Sequence, residues 1–292
     1  TKNGFYNNYE FLIKNSNSNT QNSENYKDEE DLNVSTLFQF NSSLPLIKDD
    51  GDYQKIFKPL MSIKVAPDYT KNNQNSESRI DTDNIYSLQR ATNDNSVEGG
   101  ISIVYGSNYV YFDKIQDREI IDLSFANNIR FNENEDLPKI NQIGEKTSNF
   151  FSGIKFSPIK NIDTKYNTSF KNNLSDRSYE NLITEFKINN LVTTFDYLNE
   201  NNTAEKKSYL SNKTEYMVDK NNSLLFSTRK NKKSNLTEYY NMMYQYKNDC
   251  LAASIEYNKD YYNDNDIKPS ESIFFKLTII PFSETSSPNL KK

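Results

Sequence analysis

The chain has no histidine and a single cysteine, Cys250, in 292 residues. Histidine-based triads and histidine-ligated metals are therefore excluded within it. No run of about 18 apolar residues occurs, so no membrane-spanning helix is expected. Glycine-rich phosphate loops are absent, and Gly99-Gly100 is not part of one. No carboxylate pair stands out as an acid/base couple, so neither catalysis nor a cofactor is expected. Apolar residues make up 35% of the chain and the mean hydropathy is -0.88, too polar for a soluble domain to fill a core easily. The net charge of -5, with lysines scattered along the chain, argues against nucleic acid as a partner. The opening residues Thr1-Lys2-Asn3-Gly4 are neither an initiator nor a signal peptide. The chain therefore reads as a fragment, or as a mature product cut from something longer.

Aromatic residues, by contrast, reach 13%, with 21 Tyr and 18 Phe; a disordered chain lacks them. Many fall at every second position. In Glu119–Phe131, Ile121, Leu123, Phe125, Ile129 and Phe131 share one set of alternate positions. Asp122, Ser124, Ala126, Asn128 and Arg130 share the other. That is the period of a strand with one oily and one polar face. About fourteen such strands follow one another, with almost no helical period. Phe57–Val65 sets Phe57, Met61, Ile63 and Val65 against Lys58, Ser62 and Lys64. Pro59 stands in mid-strand there, where a bulge or a lost ladder bond is expected. Ile162–Lys171 has the most regular alternation. Lys207–Val218 has the poorest and is expected to protrude. Asp68–Ser96 is a long polar loop, in which the less polar Asp83–Arg90 is expected to fold back onto the sheet. Gly100, Ser102 and Gly106, on the polar face of Val97–Phe112, leave room for something to pack close. Asn132–Lys146 reads as a polar connection. The strand region is expected to end at residue 282, and Ser283–Lys292 reads as a polar tail.

The fold class expected is all-β, an antiparallel transmembrane β-barrel. Apolar rows face out, polar rows face in, and aromatics sit near strand ends. Short turns such as Pro158–Asn161 and Asn189-Asn190 alternate with longer loops, as they do in membrane barrels. A soluble antiparallel sandwich is the alternative, but it has to bury one face of every strand in a shared core. On the barrel reading Asp122, Arg130, Lys155, Asp163, Lys165, Glu185, Lys187, Asp196, Glu256 and Lys276 line a wet, mixed-charge lumen. Such a lumen can hold a sugar chain or a plug protein and would repel an acyl chain. Cys250 keeps two readings, a small buried apolar residue or a thiol whose partner lies outside the chain.

Two stretches carry a resemblance. F-K-P-L-M-S-I-K-V-A-P (Phe57–Pro67), D-N-I-Y-S-L-Q-R (Asp83–Arg90) and V-E-G-G (Val97–Gly100) occur in that order. Together they resemble the barrel of LptD, the outer-membrane lipopolysaccharide assembly family. D-C-L-A-A-S-I-E-Y (Asp249–Tyr257) and I-K-P-S-E-S-I-F-F-K-L-T (Ile267–Thr278) are similar to the last two strands of alphaproteobacterial members. The motif residues are Pro59, Pro67, Asn84, Arg90, Glu98, Gly99 and Gly100. The middle of the chain agrees only by strand rhythm.

The resemblance implies the C-terminal part of a larger barrel in the Gram-negative outer membrane, inserting lipopolysaccharide without chemistry. The sugar part would pass through the lumen. The acyl part would leave sideways through a seam at the last strand, marked by Ile273, Phe275, Leu277, Ile279 and Pro281. The implied partners are lipopolysaccharide, an LptE-like lipoprotein plug and an LptA-like periplasmic bridge reached through a missing N-terminal domain. The barrel assembly machinery would act during folding. A disulfide from Cys250 to the missing domain is also implied, although Asp249 stands where the family often has a second cysteine. A different large outer-membrane barrel, such as a porin or receptor, and a secreted β-rich adhesin are the alternatives.

Overall fold

Alternation of oily and polar residues becomes strand along nearly the whole chain. The structure, a computed structural model, describes residues 4–19, 30–67, 70–90, 97–201, 206–261 and 269–279. The strands are β1 (Tyr6–Asn19), β2 (Glu30–Ser43), β3 (Leu46–Asp50), β4 (Tyr53–Ala66), β5 (Gly100–Asp113), β6 (Arg118–Arg130), β7 (Phe150–Ile159) and β8 (Ile162–Phe170). They continue with β9 (Arg177–Ile188), β10 (Leu191–Glu200), β11 (Lys207–Met217), β12 (Asn222–Asn231), β13 (Leu236–Lys247), β14 (Leu251–Asp260) and β15 (Ser270–Ile279). Neighbours in the sheet follow chain order, β1-β2-β4-β5 and so on to β15, with β3 beside β4. Among the described residues the one helical element is a 3-10 turn at Lys139–Asn141. No helix there is long and apolar enough to cross a membrane. The expected all-β antiparallel class is what forms.

The fifteenth strand has a local cause. β2 and β3 are one line of chain, interrupted at Leu44-Pro45. β4 runs unbroken beside both, with Ser43 opposite Leu60 and Leu46 opposite Phe57. The interruption therefore faces Lys58 and Pro59. The Leu44 amide donates to the Pro59 carbonyl at 3.2 Å. In an antiparallel ladder a residue's N–H and C=O point to the same side. Proline has no N–H, so the return bond is missing where the strand breaks.

Connections differ at the two ends of the strands. Residues 51–52, 114–117, 160–161, 189–190, 218–221 and 248–250 make short turns at one end. The segments 67–99 and 131–149 are the longest of those at the other. Asn189, in the two-residue turn, has φ 51, a conformation asparagine tolerates better than most residues.

By contacts the chain forms two compact units. The first is Thr1–Ile159, Thr164–Leu182 and Asn199–Lys206. Its burial is inverted relative to a water-soluble protein. In β4, Ser62 and Lys64 are 0% and 1% exposed, while the neighbouring Met61 and Val65 are 39% and 41% exposed. Gln39 is buried beside exposed Phe38, Ser102 beside exposed Ile101, and Asn128 and Arg130 flank exposed Ile129. Tyr9, Phe11 and Ile13 of β1 are exposed on the same kind of row. The oily rows do not meet in a dry interior, as a sandwich requires.

The second unit is Lys160–Asp163, Ile183–Leu198 and Lys207–Lys292. Leu224, Tyr244, Ile255 and Phe275 lie across from one another on β12 to β15 and are all exposed. Gln245, Ser254 and Lys276 make a parallel row on the other face. Lys207–Val218, expected from its poor alternation to protrude from the membrane, is up to Met217 a regular strand of the sheet. β11 pairs regularly with β12 from Tyr209 to Met217. Its alternation looked poor because Asn212 and Thr214 occupy the oily row. They satisfy each other and Thr193 instead, at 3.0 Å for Thr214 to Asn212 and 2.7 Å between the two threonine hydroxyls.

Candidate functional site

In the first unit the polar face of the sheet is covered by the chain's own connections. Asp83–Arg90 folds back, as its lower polarity suggested. Ile85 and Arg90 are buried. The segment 131–149, which contains the Asn132–Lys146 stretch that reads as a polar connection, supplies Leu137 and Ile143. These pack with Ile80, Ile85, Val104, Ala126 and Phe151 into one apolar cluster. The wet, mixed-charge face expected from sequence is therefore dry over this part of the unit. Val104, Ala126 and Phe151 stand on the polar face, and apolar residues of the two segments cover them.

The two segments are tied to each other and to the sheet. Asn73 N–H donates to the Asp136 carbonyl at 2.7 Å and Lys139 N–H to that of Gln74 at 3.1 Å. Asn141 donates to the Ser78 carbonyl at 2.7 Å. Asn84 closes the turn at 81–84, accepting from the Asp81 amide at 3.0 Å and donating to the Arg79 carbonyl at 2.9 Å. Small residues make the close approach possible. A Cβ at Gly106 would collide with the Tyr86 hydroxyl and the Phe125 carbonyl oxygen, and one at Gly153 with the Thr82 hydroxyl. The room expected at Gly106 is thus filled by Tyr86.

At the end of the folded-back segment lies a buried ion cluster. Arg90 donates to both oxygens of Glu98, at 2.9 and 2.6 Å, and also to Ser102, Asn128 and the Ile85 carbonyl. Arg130 donates to Glu98 at 2.7 Å and to the Gly99 carbonyl. Lys64 lies 3.8 Å from Glu98 and donates to the carbonyls of Ser87 and Leu88 at 2.5 and 3.2 Å. Backbone carbonyls and Asn128 thus share with one carboxylate the task of solvating three cations. Burial alone would raise the Glu98 carboxyl. Arg90, Lys64 and Arg130 outweigh that and hold it well below the usual carboxylate range. Gly100, in the left-handed region at φ 86, passes close to the Arg130 guanidinium.

A second charged group lies along the same face. Asp122 is buried and accepts from Asn108 and, at 3.1 Å, from Ser124. Lys155 reaches Asp122 at 3.8 Å and Asp83 at 3.5 Å, and Lys165 reaches Asp83 at 2.6 Å. Burial raises the Asp83 carboxyl, but Lys165 and Lys155 hold it below its ordinary value. A cavity of about 250 Å³ opens here, lined by Lys58, Asp83, Tyr86, Asn108, Asp122 and Ser124 among others. A third tie is Arg79, which donates to Glu200 at 3.1 and 2.5 Å and stacks 4.4 Å from the Tyr179 ring centre.

The sequence candidates therefore fall into groups. Arg90, Glu98, Gly99, Gly100 and Arg130 come together in the ion cluster. Asp122, Lys155 and Lys165 meet through Asp83. In the second unit Lys187 pairs with Asp163 at 2.9 Å and Glu185 at 2.8 Å beside the short turns. Glu256, in the second unit, accepts from Asn241 at 2.5 Å, and Lys276 lies across from Ser254. Pro59 marks the break opposite Leu44, and Pro67 follows the last residue of β4. Cys250 is a half-buried free thiol in the 248–250 turn. Ile273, Phe275, Leu277 and Ile279 are exposed on β15, the end of the strand order. Pro281 lies outside the described residues. Sequence reasoning did not assign Lys64, Ser102, Asn128, Arg79 and Glu200 to a site.

No protein-family model and no curated protein matches the chain. Among solved structures it is similar to mutants of the Rhodopseudomonas blastica porin. Two triple mutants are 8% and 9% identical, with TM-scores of 0.37 and 0.38. In each case 94% of this chain and 98% of the porin chain are covered. Overlap of that degree decides neither fold nor function.

Proposed function

We propose that the chain is a membrane-spanning β-barrel protein of a Gram-negative outer membrane, a non-catalytic passage for hydrophilic cargo. The observation that carries this is the inverted burial on adjacent positions, Lys64 hidden beside exposed Val65 and Ser102 beside exposed Ile101. Strands built so are stable where the exposed row meets hydrocarbon. The difference in connection length supports the same reading, with the two-residue turns all at one end and the longest segments, 67–99 and 131–149, at the other. The covering segments of the first unit narrow whatever space that polar face borders, so the cargo would pass along a face already partly filled by the chain itself.

A second, narrower reading is lipopolysaccharide assembly of the LptD type. One observation favours it. Arg90, Glu98, Gly99 and Gly100, chosen from sequence only as motif residues, converge on one buried cluster. A motif shared for structural reasons is expected to do that. On this reading lipopolysaccharide, a lipoprotein plug and a periplasmic bridge are the partners, and β15 is one lip of the lateral exit.

Purified full-length chain folded into detergent micelles tests the first reading. A β-barrel migrates faster in unheated than in heated samples and inserts into vesicles with its strands protected from protease. Identical migration, with full digestion after mixing with vesicles, would overturn it. Ion conductance across a planar bilayer then favours an open passage. Transfer of labelled lipopolysaccharide between vesicles favours the narrower reading.

A further inference from the structure

The tip of the β12–β13 hairpin reads Arg229-Lys230-Asn231-Lys232-Lys233. Its two rows use their cations differently. Arg229 lies across from Tyr239, pairs with Glu238, and stands between Tyr209 and Tyr239, 5.0 and 5.5 Å from their ring centres. It braces the polar row. Lys230 belongs to the oily row, following Leu224, Phe226 and Thr228 at alternate positions and facing exposed Leu210 across the ladder. Lys232, two residues on, has its ammonium 5.0 Å from the centre of the Tyr197 ring. Both lysines are exposed.

Lower on the same row is an apolar groove of about 400 Å³, lined by Tyr216, Leu224, Phe226, Met242, Tyr244 and Ile255 among others. Phe226 and Lys230 are four residues apart, about 13 Å of strand at roughly 3.3 Å per residue. Half of a bilayer's hydrocarbon core is about 15 Å thick. A groove and a pair of cations at that separation match the acyl chain and the headgroup of one lipid leaflet.

We propose that this row binds one anionic membrane lipid, with Lys230 and Lys232 taking its phosphate and the groove taking an acyl chain. The site rests on the membrane-barrel reading above. Lys230 lies at the long-loop end of the strands, which is the outward end in bacterial barrels, so the lipid belongs to the outer leaflet. Lysines carried on long apolar stems at the edge of an oily band reach naturally into the headgroup layer. Each one near an anionic surface is worth roughly a five-fold preference.

The test uses full-length protein reconstituted in phosphatidylcholine vesicles, with spin-labelled phosphatidylglycerol or spin-labelled phosphatidylcholine as probe. The wild type should restrict the motion of the phosphatidylglycerol label preferentially. Lys230→Gln with Lys232→Gln should lower that preference by an order of magnitude or more, roughly five-fold for each lysine. Lys247→Gln, at the opposite end of β13, should leave it unchanged. Insertion is followed in the same samples by heat-modifiable migration. Inserted protein with the same preference in wild type and double variant overturns the lipid site and leaves the barrel standing. Wild-type protein that never inserts overturns the barrel, and the site with it.

Discussion

Arg90 and Glu98, eight positions apart across the end of a long loop, meet through paired hydrogen bonds of 2.9 and 2.6 Å. Their side chains are 0% and 2% exposed. Glu98 is also the carboxylate that Arg130 and Lys64 share. Replacing Glu98 with Gln therefore removes the carboxylate that these three buried cations share. Breaking a buried pair by removing one member costs about 3–5 kcal/mol. The expected outcome is a lower midpoint for heat-modifiable unfolding in Glu98→Gln, with Arg90→Ala close behind. A midpoint equal to wild type would mean the cluster is not formed.

Two glycines separate backbone from side-chain crowding. At Gly106 an added methyl meets the Phe125 carbonyl as well as the Tyr86 hydroxyl. Gly106→Ala should disturb the β5–β6 ladder and expel the folded-back segment together. At Gly153 the nearest atoms belong to the side chains of Thr82 and Asn167. Gly153→Ala should loosen only the segment near Thr82. Limited trypsin digestion of the folded protein reads the difference. Cleavage after Arg79 and Arg90 should rise strongly in Gly106→Ala and slightly in Gly153→Ala.

The strand faces were legible because period-two alternation fixes which side chain points where, and Phe38 against Gln39 or Val65 against Lys64 needs no partner to be read. The inward fold of Asp83–Arg90 was legible from Ile85 and Leu88 in a polar stretch. What sat inside was not. Leu137, Ile140 and Ile143 recur every three residues in 131–149, which was the available signal, but charged neighbours masked it. Lys64 was visible as a polar-row residue, yet its role depends on carbonyls of Ser87 and Leu88 brought there by the loop. Position on a face follows from local sequence, whereas convergence of 64, 90, 98 and 130 follows from tertiary packing.

Acid should open the same cluster from the other direction. The Glu98 carboxyl is held below its unfolded value, about 4.3 for an ordinary glutamate. Its contribution to stability is therefore complete above that pH and is lost progressively as pH falls below about 4. Hydrogen exchange at 85–90 and 98–102 should stay slow from neutral pH to about pH 5 and accelerate below about pH 4, after correction for the intrinsic pH dependence of exchange. Glu98→Gln should exchange faster throughout and lose the acid step. An acid step that persists in Glu98→Gln would assign it to another carboxylate.

The polar triad on the oily row of the second unit predicts a coupling rather than a loss. Thr193 and Thr214 share a 2.7 Å hydroxyl contact, and Asn212 donates to Thr193 at 3.0 Å and to the Thr194 carbonyl at 3.3 Å. In lipid such side-chain bonds average only about 0.6 kcal/mol, because groups left alone find other partners. Thr193→Val alone takes from Asn212 one of its two acceptors and from Thr214, whose own proton goes to Asn212, the neighbouring hydroxyl, next to hydrocarbon, so it should destabilise. Thr193→Val with Thr214→Val removes donor and acceptor together and enlarges the apolar row. A double-mutant cycle on unfolding in lipid vesicles should then give a coupling near 0.5–1 kcal/mol, with the double variant no less stable than the weaker single one. Simple additivity would mean that the two hydroxyls do not interact when the row faces lipid. In that case water, rather than hydrocarbon, would be the medium in which β10 and β11 keep their polar side chains.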